Sequence, residues 1–501
     1  MSSVSTEISL SKDQTPISKN FFAILSSNLF LRSFIFSGLI YFSVVLGGWP
    51  GQAALPVLII SFIVGLLAAF VYGKIEDQTD AERGLYFYLK NRLGQLPAFI
   101  TTLVLFISGN ILIGFMISFL PKYIFSEFFY IAGVGYENRL FFDFAELLKT
   151  PQAISLFGIV IVITAFVLTS FSKLIIPKFY VFSTLILISI GFILFIQMGF
   201  PINQGLEVTW DAFYGEVSFS NLVNQAKESG INNYFFGGFY SFAGIIVVMW
   251  FFMQGYEHIN LNVFYKKRNS VWTNLISILI TFLFLFGFYW LFLRNVGFNW
   301  IRAQAYLVLI AQGDFPGWLT TYAGLSSPFL AYFILTSLFL LISVISLLGT
   351  SMILNGVFIQ SWAEDKILPE VFLLRNRRNG KLGIPYLIVS ILFGIGIILS
   401  AFSNLISDVL GFILIMQLAQ IPIFVSILMP RSNQDSHKNP IFINFAAVIL
   451  IIVFIVAFIL LLITPVPLGV TPWLGLIVGG ISILMALIYY FFLKNKFASI
   501  N

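Results

Sequence analysis

The sequence predicts an all-α polytopic membrane protein with about twelve transmembrane helices. Of its 501 residues, 59% are hydrophobic and 10% are charged, whereas a soluble protein carries about 25% charged residues. The apolar residues also form long stretches, and a membrane-spanning helix needs roughly 20 of them. Both observations place the chain among membrane proteins rather than among soluble proteins with a large core.

Apolar stretches separated by charged or polar segments give the predicted helices. A polar tail, residues 1–20, lacks the pattern of a cleaved signal peptide. Twelve spans are predicted at 21–48, 53–73, 96–120, 154–171, 179–200, 237–261, 272–293, 327–349, 384–402, 405–429, 441–463 and 473–493. The eighth helix is expected to continue to Trp362, and a short surface helix is expected at 83–94. Residues 121–151 and 201–234 are predicted loops, and 494–501 form a C-terminal tail.

Composition excludes several kinds of chemistry. The chain has no cysteine, which rules out disulfides and thiolate chemistry, and its two histidines cannot build a multi-histidine metal site. An intramembrane enzyme would need a nucleophile with a nearby base, which this composition disfavours. The basic residues lie in short loops at membrane edges, so no nucleic-acid partner is expected. The expected partners are the lipid bilayer and a small-molecule substrate; the oligomeric state is not predicted.

The distribution of basic residues predicts the orientation in the membrane. With the N-terminus in the cytoplasm, about 21 of the 27 Lys and Arg residues fall on the cytoplasmic side, which is the positive-inside bias. We therefore expect a multi-pass protein of the cell membrane with both termini in the cytoplasm.

Two predicted spans contain interruptions that point to a substrate site. The sixth carries Met253, Gln254, Gly255, Tyr256 and Glu257 inside an apolar run. A carboxylate at the centre of a membrane helix costs about 2.5–3.5 kcal/mol on insertion scales, so it usually faces a cavity or a partner. An alternative is that Gly255 is a packing residue and Glu257 lies near the cytoplasmic end.

The first predicted span, which is too long for one straight crossing, offers a break either at Phe36, Ser37 and Gly38 or at 47–51. The interrupted first and sixth spans lie five spans apart, and because five is odd, the two halves of the chain would have inverted topology. Interrupted helices at corresponding positions of two halves are the best sequence indicator of a transporter's midplane site.

Three motifs resemble segments of one family of transporters. The first is Gly84-Leu-Tyr-Phe-Tyr-Leu with Gly94, which is similar to a Gly-Gly-x-Tyr-x-Tyr segment after the second helix of amino-acid permeases. Residues 253–257 resemble the Phe-Ser-Gly-Phe-Glu stretch of their sixth helix. The segment Ala363-Glu-Asp-Lys-Ile-Leu-Pro369 resembles their Ala-Arg-Asp-Gly-Leu-Leu-Pro sequence after helix eight. In order and spacing, the motifs resemble the amino acid–polyamine–organocation (APC) superfamily.

The resemblance implies a leucine-transporter-type fold. Its 5+5 inverted repeat would comprise residues 21–200 and 235–430, joined by an extracellular loop at 201–234. Two further helices would occupy 431–493. The implied activity is that of a permease, not an enzyme: a secondary transporter, symporter or antiporter, that moves amino acids or related organic amines by alternating access. Alternatives are a permease of the same fold for nucleobases or polyamines, a channel, and an intramembrane enzyme.

The resemblance also implies a set of substrate-binding residues. In the family, amides exposed at the break in helix one hold the substrate carboxylate, which corresponds here to Phe36, Ser37, Gly38 and Leu39. The break in helix six corresponds to Met253, Gln254, Gly255, Tyr256 and Glu257. Free N–H groups at a helix N-terminus bind anions, and carbonyls at a half-helix C-terminus accept an ammonium group. Phe36 departs from the family, which has glycine there.

Three polar residues in other predicted helices complete the candidate set. Asn110 would lie at mid-membrane depth, where it either lines the pocket or bonds a neighbouring helix. Thr350 and Ser351 are candidates for a sodium site, although such residues also commonly bond the backbone of their own helix. No cofactor is expected apart from Na⁺ or H⁺ as a coupling ion.

Overall fold

The computed structural model of this chain describes nine segments and six isolated positions between residues 186 and 211. The segments are 51–78, 84–171, 218–230, 270–309, 330–373, 383–402, 405–429, 441–463 and 473–493. Within them, every regular element is a helix. The predicted first and sixth spans, both predicted tails and most of the fifth span lie outside the described residues.

Thirteen α-helices are described, numbered here in chain order. They are α1 Gly51–Gln78, α2 Gly84–Leu93, α3 Gln95–Phe119, α4 Ser126–Gly135, α5 Arg139–Lys149, α6 Pro151–Phe171, α7 Phe219–Glu228, α8 Ser270–Leu309, α9 Leu330–Glu364, α10 Gly383–Ala401, α11 Leu405–Leu428, α12 Ile441–Ile463 and α13 Trp473–Ile488. Two π-helical turns, Leu120–Phe125 and Tyr489–Leu493, and a 3₁₀ turn, Glu370–Leu373, extend them.

Eight stretches in the described part are long and apolar enough to cross a membrane. They are Leu55–Gln78, Gln95–Gly135, Pro151–Ser170, Ser337–Glu364, Gly383–Ala401, Gly411–Leu428, Ile441–Leu460 and Leu474–Phe491. Each overlaps one predicted span, although Gln95–Gly135 runs on into the predicted loop that begins at 121. Helix α9 continues past the predicted end of its span to Glu364, as expected. The chain is therefore an all-α polytopic membrane protein.

The prediction of a long loop at residues 121–151 is wrong, because this segment is mostly helical. The third span is predicted to end at 120, and the next residue, Pro121, lacks the N–H that would bond the carbonyl of Ile117. Instead the Leu120 N–H bonds the Ile117 carbonyl. The widened turn then closes when the Ser126 N–H bonds the Pro121 carbonyl, and the chain continues as α4.

Helix α8 contains a break close to residue 293, where the seventh span was predicted to end. At Gly297 the backbone has φ 74° and ψ 174°, between two helical stretches. This positive φ suits glycine, which has no Cβ to clash. The long apolar part of α8 lies before this break. The second helical stretch, after the break, contains Trp300 and Arg302.

Contacts near helix ends define two sides of the bundle. On the α2 side, Arg92 donates to the carbonyl of Met429 just after α11 (2.9 Å), and Tyr490 donates to Gln95 at the start of α3 (3.3 Å). On the opposite side, called the α5 side, Ser400 at the end of α10 bonds Ser118 near the end of α3. Helices α3 and α10 therefore run parallel.

Glycines bring α3 and α10 into backbone contact. A Cβ added to Gly114 would lie 2.3 Å from the carbonyl oxygen of Phe393 and 2.8 Å from the Cα of Gly396. A Cβ on Gly396 would lie 2.3 Å from the carbonyl oxygen of Ile111. Small residues allow this close approach between membrane helices, so the glycines at 114, 394 and 396 are expected to lie at helix contacts. This expectation is confirmed for Gly114 and Gly396. It is wrong for Gly394, because a Cβ added there would have no described atom within 4 Å.

Candidate functional site between helices α3 and α9

One face of α3 is directed at α9. Its members are Phe99, Thr102, Phe106 and Asn110, which recur at intervals of three and four residues and therefore share one side of the helix. All four are buried. The facing residues of α9 are Asn355 and Trp362. Two polar contacts and a group of aromatic rings thus join the two helices along this face.

The central contact is a pair of buried asparagines. The side-chain nitrogen of Asn355 donates to the side-chain oxygen of Asn110 at 2.7 Å. The Asn110 nitrogen donates in turn to the carbonyl oxygen of Phe106, at 2.6 Å within its own helix. Asn110 has no exposed surface, and Asn355 is 3% exposed. Asn110 therefore bonds both a neighbouring helix and its own backbone.

The pair lies well inside the membrane. At 1.5 Å per residue, Asn110 is about 22 Å from the α2-side end of α3, and Asn355 is about 14 Å from the α2-side end of α9. A hydrocarbon core is about 30 Å thick. At this depth water cannot replace a lost hydrogen-bond partner, so each amide depends on the other.

Of the two sodium-site candidates, Thr350 has a local partner. Its hydroxyl donates to the carbonyl oxygen of Ser346, one turn earlier in α9, at 2.8 Å. This bond matches the alternative given above, in which the hydroxyl bonds the backbone of its own helix. The second lone pair of the Thr350 oxygen is still able to accept or to coordinate a cation.

Ser351 differs from Thr350. It is 1% exposed, and its hydroxyl has no hydrogen-bond partner among the residues that the structure describes. A buried polar atom without a partner costs about 1–3 kcal/mol. Ser351 is one turn before Asn355, so both project from the same side of α9. Within the described part of the chain, the hydroxyls of Ser108 in α3 and Ser346 in α9 are also buried without a partner.

A tryptophan of α9 contacts this face of α3 near its α2-side end. The indole nitrogen of Trp362 donates to the hydroxyl of Thr102 at 3.1 Å. Phe99 and Phe106 each meet the Trp362 ring edge to face, with ring centroids 5.4 Å apart. Phe358 stacks on the same indole. Edge-to-face aromatic pairs stabilise beyond their buried area, so Trp362 anchors α9 on α3.

A second polar cluster lies on the α2 side, where α9 ends. The carboxylate of Asp365 accepts hydrogen bonds from Lys90 and Tyr86 of α2, and from Gln95 of α3 at 2.7 Å. The side chain of Asp365 is 11% exposed and that of Lys90 is 32% exposed. One carboxylate therefore connects the surface helix α2 to the segment that follows α9.

The cluster changes the titration of Tyr86. Burial raises the pKa of Tyr86 well above the ordinary tyrosine value, and the hydrogen bond to the Asp365 carboxylate raises it further. Both effects disfavour a second negative charge beside Asp365. Tyr86 thus remains a hydrogen-bond donor throughout the physiological pH range.

The turn after α9 places Asp365 in this cluster. Lys366 has φ 57°, in the left-handed region. The Ile367 N–H bonds the Trp362 carbonyl, and the Lys366 N–H bonds the Ala363 carbonyl. This is the Schellman arrangement, whose left-handed position is usually glycine. The backbone carbonyl of Ile367 then accepts a hydrogen bond from Tyr489 near the end of α13.

The structure covers part of the predicted site. Asn110, Thr350 and Ser351 are described, and Asn110 meets the helix that carries the other two. The predicted substrate residues of the two interrupted spans, 36–39 and 253–257, lie outside the described residues. Asn355 was not predicted as a site residue, although an asparagine within the apolar run of α9 was a detectable signal.

Contacts over long sequence separations were also missed. Asp365 and Tyr86 both belong to motifs that carried the family resemblance, but their mutual hydrogen bond spans 279 residues and no local pattern predicts it. Among the described residues, no group of three or more His, Asp or Glu side chains is placed to hold a metal ion. The hydroxyl and amide oxygens between α3 and α9 are the ligand type that a hard monovalent cation would use.

Comparison with known proteins adds no relative to this picture. No protein-family model matches the chain, and no curated protein gives a significant match.

Proposed function

We propose that this protein is a permease of the APC type. It would be a secondary active transporter that moves amino acids or related organic amines by alternating access, driven by an ion gradient or by exchange. The proposal includes twelve spans with a 5+5 inverted repeat, a location in the cell membrane and cytoplasmic termini, with the α2 side facing the cytoplasm. The motif resemblance suggested this function.

The observation that carries the proposal is the pairing of helices five predicted spans apart. Residues near the end of α1 meet the start of α8: a Cβ on Gly73 would lie 2.6 Å from the Cα of Val271. Further along the same pair, Phe62 stacks on Phe282 at 4.1 Å. Helices α1 and α8, the predicted second and seventh spans, therefore run antiparallel and in contact.

Two more pairs behave in the same way. Helices α3 and α9, the predicted third and eighth spans, are antiparallel and joined by the asparagine pair. Helices α6 and α10, the predicted fourth and ninth, are antiparallel and meet where a Cβ on Gly158 would lie 2.8 Å from Ile397. An in-plane two-fold relation between inverted repeats produces this pattern, and transporters with such repeats bind substrate near the midplane.

The polar groups between α3 and α9 fit a supporting role for that site. Because Asn110 and Asn355 satisfy each other, they hold two helices in fixed register at mid-membrane depth. The substrate itself would contact the exposed backbone at 36–39 and 253–257. The unpartnered Ser351 hydroxyl, with Thr350 beside it, is the described candidate for a coupling Na⁺.

The experiment is substrate uptake into proteoliposomes. Counterflow of a labelled amino acid that saturates with concentration supports the permease. Saturable flux of a nucleobase or polyamine instead would change the substrate class, linear flux would indicate a channel, and chemical conversion of the substrate would indicate an enzyme.

A variant tests the location of the substrate site. Gly255→Leu should abolish substrate binding while the protein remains folded and monodisperse, because the added side chain blocks the opened backbone. Unchanged affinity would reject the interrupted-helix site.

The coupling ion is tested separately. If Na⁺ binds at Thr350 and Ser351, uptake should collapse when choline or lithium replaces sodium at constant pH. Full activity in those buffers would favour protons or exchange.

A further inference from the structure

An apolar cavity of about 400 Å³ lies on the α5 side of the bundle. Its walls come from the π-helical turn after α3 and from helices α4, α5, α6 and α9, and they include Phe128, Ala132, Phe157, Leu338 and Leu341. Ser337 supplies the only polar side chain among the described lining residues. Such a cavity offers nothing to orient a polar ligand and favours an apolar one.

The mouth of the cavity is surrounded by surface that faces lipid. Ile334 and Leu338 of α9, which line it, are 51% and 45% exposed. Beside Phe157, Leu156 and Val160 of α6 are 67% and 54% exposed. Leu338, Leu156 and Val160 belong to stretches that are long and apolar enough to span a membrane, and Ile334 lies one turn before the first of these residues in α9. Their exposed side chains therefore face acyl chains. The cavity is therefore continuous with the hydrocarbon of the bilayer.

Helix α5 forms the outer edge of the cavity and has the pattern of an interfacial helix. Phe141 and Leu148 line the cavity, whereas Leu140, Phe144 and Leu147 are more than half exposed on another face. Charged residues, among them Arg139 and Asp143, occupy the remaining side. A short helix with an exposed apolar stripe and a charged stripe lies at the boundary between headgroups and acyl chains.

The cavity also has the size of one acyl chain. A cavity of roughly 150 Å³ holds a benzene molecule, with its six carbons. By the same proportion, the cavity here has room for about sixteen carbons. We propose that it binds one acyl chain of a bilayer phospholipid, whose headgroup remains at the level of α5. This inference does not rest on the proposed function.

The test is photolabelling of the full-length protein in liposomes that contain a phospholipid with a diazirine in one acyl chain. Two variants fill the cavity from different helices, Ala132→Phe and Ser337→Phe. The matched control is Leu156→Phe, which adds the same ring to a lipid-facing position outside the cavity. Adducts are located by mass spectrometry of peptides.

In the unmodified protein, adducts should appear on the cavity-lining residues of α4 and α9. Either filling variant should reduce them at least about tenfold, because the added ring occupies the volume that the acyl chain needs and a close-packed interior has no room for both. Labelling of the lipid-facing residues of α6 should stay unchanged, which also reports that the fold is intact. The control variant should label the cavity as the unmodified protein does.

Three results would overturn the proposal. The first is the lack of adducts in the cavity of the unmodified protein. The second is unchanged cavity labelling in both filling variants. The third is labelling by a diazirine fatty acid that excess unlabelled phospholipid does not compete away, which would assign the cavity to free fatty acids.

Discussion

Replacing Asn355 by leucine removes the donor that Asn110 uses between α3 and α9. The Asn110 oxygen then has no partner at a position with no solvent access, and an unsatisfied buried group costs about 1–3 kcal/mol. The bond itself is a smaller term, since interhelical hydrogen bonds in membranes average about 0.6 kcal/mol with a maximum of about 1.7 kcal/mol. We expect Asn355→Leu to lower the free energy of unfolding by about 1–2 kcal/mol.

The double variant Asn110→Leu/Asn355→Leu should cost less than the sum of the two single variants. Removing both amides leaves no polar group without a partner and adds apolar contact, which is nearly neutral. The expected coupling energy is therefore about 1–2 kcal/mol, within the range for residues in direct contact. The assay is equilibrium unfolding in mixed micelles by detergent titration, followed by tryptophan fluorescence.

Ser343 provides the control for this cycle. It is buried in α9, and its hydroxyl donates at 2.6 Å to the Phe339 carbonyl of the same helix. It lies about 18 Å along the helix from Asn355. In the double variant Asn110→Leu/Ser343→Ala, the losses in the free energy of unfolding from the two single variants should add to within about 0.5 kcal/mol. Strictly additive costs for the two asparagine variants would refute a coupled pair.

Three further predictions concern other contacts. Gly114→Ala should destabilise by about 1–3 kcal/mol because its Cβ meets the α10 backbone, whereas Gly394→Ala, with nothing within 4 Å, should be neutral or stabilising in the same unfolding assay; equal effects would contradict the packing argument. Lys366→Gly should raise the free energy of unfolding by about 1 kcal/mol, because glycine suits the left-handed turn; a loss would contradict it. Tyr86 has a pKa raised above its unfolded value, so the stability it contributes is complete below about pH 10 and declines as the pH rises further. Unfolding midpoints measured up to about pH 11 should fall less steeply for Tyr86→Phe than for the parent protein, and parallel curves would reject a shifted Tyr86.

The sequence determined the positions of the helices because membrane spans are encoded locally. A run of about 20 apolar residues has to be helical in a bilayer, since each backbone N–H and C=O must find a partner within the segment. The bounds predicted for α12, 441–463, coincide with those in the structure, and α9 extends past Trp362 as expected. Small residues also carried information, since Gly114 and Gly396 are where two helices touch.

Local rules failed where a larger context overrode them. The third span was predicted to end before Pro121. In the structure a π-helical turn includes Pro121 without requiring its N–H, and the chain continues into α4. The charged residues of 139–149 suggested a loop, although they occupy one stripe of an amphipathic helix whose other stripes are apolar. Periodicity of 3.6 residues was the available signal for that helix.

Tertiary structure alone decided which polar residues meet. Asn110 and Asn355 are 245 residues apart, and Tyr86 and Asp365 are 279 apart. Their partners depend on the direction and rotation of whole helices, which arise from packing along entire faces and from no short pattern. The composition of each span determines that it crosses the membrane, while the neighbours it packs against determine what its few polar groups can do.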